Sequence, residues 1–143
     1  MPVAVMTPTG TYAIQTDHLN TPRVLLDQNN RIVWRWDGDA FGVGLASEDP
    51  DGDGTKVSYN LRFPGQYFDG ETQVHYNINR DYDPRTGRYT QSDPIGLAGG
   101  INGYGYANQN PLSFIDPLGL TTTSPGVPGE SGGGIPNPYD VAP

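Results

Sequence analysis

Two aspartates, each followed by proline, are the residues of this chain best suited to chemistry. Asp93-Pro94-Ile95-Gly96-Leu97 recurs as Asp116-Pro117-Leu118-Gly119-Leu120, with the two aspartates 23 residues apart. After Leu120 the composition turns abruptly to Thr, Ser, Pro and Gly. Two carboxylates sharing a site cannot both ionise easily, so one of them tends to hold a proton. One can then act as base on a water while the other donates a proton, the division of labour of an aspartic protease. Beside a compositional boundary, such a pair would cut the chain at that boundary. Each aspartate also fits a plainer role, capping a Pro-x-Gly turn. Spacing alone favours the plainer role and leaves both open.

Arg80 is the candidate partner of the pair. Alternation predicts one long strand with Val74, Tyr76, Ile78, Arg80 and Tyr82 on a single face. A guanidinium on an apolar face needs an anion, because unpaired burial is costly. Asp93 or Asp116 would supply it; a strand-end arginine reaching solvent is the alternative. Asp49, Asp51, Asp53 and Gly54 resemble the first half of an EF-hand loop, but Asn60 stands where the bidentate Glu belongs. A solvated acidic loop is therefore the better reading than a calcium site. His18 and His75 are isolated from any Ser or Cys nucleophile pattern. Trp34 and Trp36 suit sheet packing, with a sugar-binding face as the less common use of such residues. No cofactor and no metal is called for.

The elements that must position these residues read as hairpins. Val24–Leu26 and Ile32–Trp36 flank the polar turn Asp27-Gln28-Asn29-Asn30, and alternation puts Ile32, Trp34 and Trp36 on one face. Val57 to Phe63 alternates again. Asp83-Pro84-Arg85-Thr86-Gly87 is a turn, and Arg88-Tyr89-Thr90 returns from it as a partner strand. Residues 93–116 fit no regular element and read as an irregular loop with aromatic anchors. Helical periodicity is almost absent. Gly and Pro make up about a quarter of the 143 residues, and 34% are hydrophobic. The 10% aromatic share supplies the burial that order requires. The net charge of −8 lacks the basic footprint of a nucleic-acid-binding protein. The absence of cysteine removes disulfides and thiolate metal sites. No apolar run approaches membrane-spanning length, and the N-terminus lacks the marks of a signal peptide.

Five motifs in order resemble the RHS repeat-associated core domain, the C-terminal end of bacterial RHS/YD-repeat polymorphic toxin proteins. They are Asp17-His18-Leu19-Asn20-Thr21-Pro22-Arg23, Leu61-Arg62-Phe63-Pro64-Gly65-Gln66-Tyr67, Tyr82-Asp83-Pro84-Arg85-Thr86-Gly87-Arg88-Tyr89 and the two Asp-Pro-x-Gly-Leu turns. The resemblance implies Tyr-Asp hairpin repeats that spiral into a hollow shell, a core that plugs one end, and a variable toxin freed by self-cleavage after the second turn. Carried onto this sequence, the cleaving pair is Asp93 and Asp116, with Arg80 in support and Leu120–Thr121 as the scissile bond.

The expected fold is therefore all-β: antiparallel YD-type hairpins plus irregular coil, forming the end plug of a larger β-shell. A lead-in over residues 1–11, a core over 12–120 and a disordered tail over 121–143, without a folded toxin, complete the expected layout. The expected function is the core of a toxin-delivery shell that cleaves itself after Leu120, acting as a single-turnover autoprotease when the shell is complete. The alternative is a non-enzymatic β-hairpin module, or an orphan core with an inactive cleavage site. Expected partners are upstream RHS/YD repeats and a C-terminal toxin segment, with self-association through edge strands. The expected location is bacterial: cytoplasmic before export, then secreted or delivered at the cell surface by a specialised system.

Overall fold

The computed structural model describes residues 3–125. Eight short strands form two four-stranded antiparallel sheets, each strand pairing with the next in sequence. The first sheet holds β1 (Ala4–Thr7), β2 (Gly10–Thr16), β3 (Pro22–Leu26) and β4 (Ile32–Arg35). The second holds β5 (Tyr67–Phe68), β6 (His75–Asn77), β7 (Arg80–Asp83) and β8 (Arg88–Tyr89). Two single 3₁₀ turns, Gly96–Gly99 and Ala107–Gln109, interrupt the coil that follows. This is the all-β hairpin architecture that the alternation implied. The boundary expected at residue 11 falls inside β2, because the lead-in folds back as β1 against it.

Turn chemistry sets the hairpins. Asp27 holds the β3–β4 turn by accepting the N–H groups of Asn29 and Arg31 on Oδ1, an Asx turn. Asp17 does the same for Leu19 and Thr21 ahead of β3. In the β7–β8 turn, Asp83 Oδ1 accepts from Arg85 and the Gly87 N–H returns to the Asp83 carbonyl. The repeated Asp-x-x motifs of the sequence are thus turn locks.

The core is aromatic and joins the sheets. Trp34 and Trp36 are fully buried, so neither offers a face to a sugar. Trp36 meets Phe63 edge-on at 5.8 Å, and Phe63 stacks on Tyr106 at 5.7 Å. Tyr106 in turn contacts Tyr82 at 4.6 Å and Tyr89 at 5.9 Å. Such tilted and edge-to-face pairs each add about 0.5–1.5 kcal/mol beyond area burial. This column runs from the first sheet to the Asp116 region.

Four expectations are corrected. Ile32 does not share the buried face of Trp34 and Trp36: the register shifts between Leu25 and Leu26, Leu26 pairs with Ile32, and Ile32 is exposed. A bulge of this kind leaves one residue unpaired and breaks the alternation. Residues 57–63 form no strand. They run as coil, with only Leu61 bridged to Tyr67; Val57, Tyr59 and Phe63 are buried, but Leu61, in phase with them, is exposed and Arg62 is buried. The long strand expected from Val74 to Tyr82 is a hairpin instead. Ile78 takes a φ of 54°, the Asn79 N–H reaches back to the Asn77 carbonyl at 2.6 Å, and Asn77 pairs with Arg80. The turn resets the phase, so Tyr76 and Ile78 face outward while His75, Asn77, Arg80 and Tyr82 face inward. Finally, Thr121 to Thr123 do not belong to a disordered tail. Thr123 and Ile115 exchange both backbone hydrogen bonds, at 2.7 and 2.9 Å, and Thr122 is buried. The remainder of that expected tail, residues 126–143, lies outside the described residues.

Candidate functional site

The β6–β7 hairpin delivers Arg80 to the interior. Its guanidinium makes contacts in four directions. Nε donates to the Gly119 carbonyl at 2.6 Å and Nη1 to the Gly103 carbonyl at 3.0 Å. Nη2 lies 3.2 Å from Asp93 Oδ2 and 3.4 Å from Asp116 Oδ2. The guanidinium plane also rests over the Tyr89 ring at 3.7 Å. All three charged side chains are 2–3% exposed. The structure thus brings Arg80, Asp93 and Asp116 to one point, although Arg80 arrives there by a turn rather than by the expected strand phase.

Each aspartate uses its two oxygens differently. Asp93 Oδ1 accepts the Ile95 N–H at 3.0 Å, capping the first Asp-Pro turn. Asp116 Oδ1 accepts the Leu120 and Thr121 N–H groups at 3.0 and 3.2 Å, capping the second. The Oδ2 atoms of both face Arg80. Capping and pairing, set against each other by the sequence, coexist on the same side chains. One guanidinium between two carboxylates leaves a buried surplus of one negative charge, which a single proton neutralises. Burial pushes the Asp116 carboxyl above its usual range. The Tyr89 hydroxyl, the Leu120 and Thr121 N–H groups and Arg80 oppose that rise without cancelling it.

The Leu120–Thr121 peptide lies across the pair. Its N–H points at Asp116 Oδ1. Its carbonyl oxygen is located by Gly99: a Cβ added there would overlap Asp93 Oδ2 and stand 2.7 Å from the Leu120 oxygen. Asp93 Oδ2 and the Leu120 carbonyl therefore crowd the same backbone carbon. Gly119 holds the approach with a φ of +66°, and a Cβ there would meet the Asn77 carbonyl at 2.5 Å. Only glycine tolerates both demands at that position.

Four contributors escaped the sequence reading. Tyr89 donates to Asp116 Oδ2 at 2.8 Å. Asn77 donates to the Tyr89 hydroxyl at 2.8 Å and to the Asp116 carbonyl at 2.9 Å. Gly99 supplies room, and Gly103 a carbonyl for Arg80. Asn77 was visible as the residue opposite Arg80 had Asn77-Ile78-Asn79-Arg80 been read as a turn. The Gly99-Gly100 pair was a signal of close backbone approach. A cleft of about 310 Å³ opens beside the pair, lined by Gly99, Asn102, Asn108, Leu120 and Thr122 among others.

The other candidates lie apart from this site. Asp49, Asp51 and Asp53 gather within 4.8 Å of one another, with Arg31 3.6 Å from Asp51 and the Gly54 N–H on Asp49. His18 bonds the Leu112 carbonyl at 2.8 Å. His75 is buried against Gln66 Oε1 at 2.7 Å, and desolvation lowers its pKa from 6.5 to about 3.

The teneurin YD-shell family model matches residues 1–112. The chain belongs to this family. Within it the chain is an RHS-associated core domain, as the order of its motifs implied. It is 43% identical over 97 residues to the Escherichia coli K12 protein YlbH, covering 68% of this chain and 39% of YlbH. It is 38% identical over 109 residues to double-stranded DNA deaminase toxin A of Burkholderia cenocepacia, covering 76% of this chain and 8% of the toxin. Its fold matches the crystal structure of TcdB2-TccC3 without the hypervariable C-terminal region, with a TM-score of 0.66 and 25% identity, over 77% of this chain and 5% of that one. This YD-shell core therefore spans well under half the length of YlbH and less than a tenth of the other two proteins. Among its described residues, no helix is long and apolar enough to cross a membrane.

Proposed function

We propose that this YD-shell core closes one end of a toxin-delivery shell and hydrolyses its own Leu120–Thr121 bond. The observation that carries the reading is the seating of that peptide: its N–H on Asp116 and its carbonyl oxygen beside Gly99, whose other close neighbour is Asp93 Oδ2, with Arg80 joining the two carboxylates. A water entering from the cleft attacks the Leu120 carbonyl carbon and gives its proton to Asp93. Asp116, pushed toward its protonated form by burial, supplies a proton to the Thr121 nitrogen. The C–N bond breaks, leaving a carboxylic acid on Leu120 and an amine on Thr121, and the acid's proton passes to the amine. The substrate is part of the enzyme, so proximity supplies much of the rate and each chain turns over once.

The core is read as one end of a longer bacterial polypeptide, with upstream YD repeats pairing at the edge strand β1 and a toxin segment after Leu120. Export by a specialised secretion system belongs to the same reading. A non-enzymatic role keeps one observation in its favour, the Oδ1 capping of both turns. Intact mass separates the two. The full chain joined to its upstream repeats should lose everything after Leu120, while Asp93→Asn and Asp116→Asn, which preserve capping oxygens, should stay whole. If both variants are cut at the wild-type rate, the pair is structural only.

A further inference from the structure

Hydrogen bonds to the backbone hold the residues on either side of the scissile bond. Asn79 Nδ2 donates to the Leu118 carbonyl at 2.9 Å, and Arg80 Nε to the Gly119 carbonyl at 2.6 Å. Asp116 Oδ1 takes the N–H groups of Leu120 and Thr121. Beyond the bond, Thr123 pairs with Ile115 in both directions, donating at 2.7 Å and accepting at 2.9 Å. The Leu118 side chain is exposed and the Thr121 side chain points to solvent. Leu120 and Thr122 both line the cleft beside the pair. Thr122 is buried there at 9% exposure.

We infer that the site presents its substrate by strand addition: the segment after the cut zips to Ile115, and this pairing sets which sequences can be cut. The inference rests on the self-cleavage reading and names what that site selects. Main-chain pairing gives the register while alternate side-chain pockets give the selectivity, as in other strand-addition sites. Three filters follow. Residue 119 must lack a side chain, since a Cβ there strikes the Asn77 carbonyl. Residue 122 must be small enough for the cleft. Residue 123 must carry an N–H, which excludes proline. The segment beyond residue 123 lies outside these filters, so the site suits a constant core joined to differing C-terminal segments. The Ile115–Thr123 pair also fixes the plane of the Leu120–Thr121 peptide from its far end, where Asp116 alone would leave the chain free to swing away.

The test is a cleavage time course by intact mass on the full chain joined to its upstream repeats. Thr123→Pro should cut at least tenfold more slowly than wild type, and Thr123→Val, which keeps the N–H, at least tenfold faster than Thr123→Pro. Thr122→Trp should be blocked, and Ser124→Ala should cut as wild type does. A second measurement uses the Asp93→Asn chain, which keeps the segment attached: hydrogen exchange at the Thr123 amide should be slowed at least tenfold relative to an unstructured peptide. If wild type cuts and Thr123→Pro cuts equally fast, the strand-addition inference falls and the cleavage reading stands. If wild type stays whole while the Thr123 amide is protected, the cleavage reading falls and the pairing stands. An unprotected Thr123 amide overturns the inference whatever the mass shows.

Discussion

Gly99→Ala puts one methyl group against both the proposed base and the carbonyl of the bond to be cut. The added Cβ would overlap Asp93 Oδ2, stand 2.8 Å from Asp93 Cγ and lie 2.7 Å from the Leu120 carbonyl oxygen, where ordinary contact begins near 3.4 Å. Neither neighbour yields easily. Asp93 is tied by the Ile95 N–H at 3.0 Å and by Arg80 at 3.2 Å. The Leu120 carbonyl sits between a Gly119 carbonyl held by Arg80 and a Thr121 N–H held by Asp116. Relief therefore needs a relative shift of roughly 1 Å between carboxylate and carbonyl. Overpacking of this size costs about 1–3 kcal/mol of stability, which a folded domain survives. A 1 Å misplacement of reacting groups costs about a hundredfold in rate. The expected outcome is a chain that still folds, with its melting temperature lowered by several degrees, and is cut about a hundredfold more slowly. Thermal melts and an intact-mass time course on the same preparation measure the two effects. A Gly99→Ala chain that folds and is cut at the wild-type rate would refute the placing of both the base and the scissile carbonyl at Gly99.

Tyr89→Phe removes a donor that favours the ionised form of Asp116, so the Asp116 carboxyl rises further; a cleavage-versus-pH profile should show the limb belonging to the proton donor moved to higher pH. Because the folded pKa of Asp116 is raised above 3.8, the folded state binds the extra proton, and this group's contribution to stability is lost as pH rises through that raised value. Denaturant melts of Asp116→Asn across pH should lack that component. His75 works in the opposite sense: its folded pKa of about 3 lies below 6.5, so the unfolded chain binds the extra proton and stability falls as pH drops from 6.5 toward 3. The slope should approach about 1.4 kcal/mol per pH unit in mid-window, and His75→Gln should flatten it.

The hairpins were legible because their turns are written in residue types. Asp27 to Asn30 and Asp83 to Gly87 contain the side chains and the glycine that such turns require, and both fell where the sequence put them. Arg80, Asp93 and Asp116, singled out through the motifs, do meet in the structure, yet the path of Arg80 was misread. Asn77-Ile78-Asn79-Arg80 carries no Gly or Pro, and a β-branched residue at φ 54° is a conformation that local propensity argues against. Tertiary contacts supply what propensity withholds there: Asn77 is fixed by Tyr89 and Asp116, and Arg80 by four partners. Ile32 was misplaced because a bulge has no sequence mark in this strand. Thr123 looked featureless because its pairing with Ile115 is through the backbone, which composition does not report. Tyr89 escaped because nothing in Arg88-Tyr89-Thr90 distinguishes a core tyrosine from one whose hydroxyl reaches a carboxylate.

The four-way grip of Arg80 has a consequence for when the chain can act. Its acceptors come from three separate stretches, the first Asp-Pro turn, the Gly103 loop and the second Asp-Pro turn, and Arg80 itself comes from a hairpin placed ahead of all three. With any one of them undocked, a buried guanidinium lacks a partner or a carboxylate keeps full solvation, and the charge arrangement across the Leu120–Thr121 peptide does not exist. The proposed hydrolysis would then serve as a checkpoint on assembly: a severed chain would certify that all four stretches had reached their places, and an uncut chain would mark a particle still under construction.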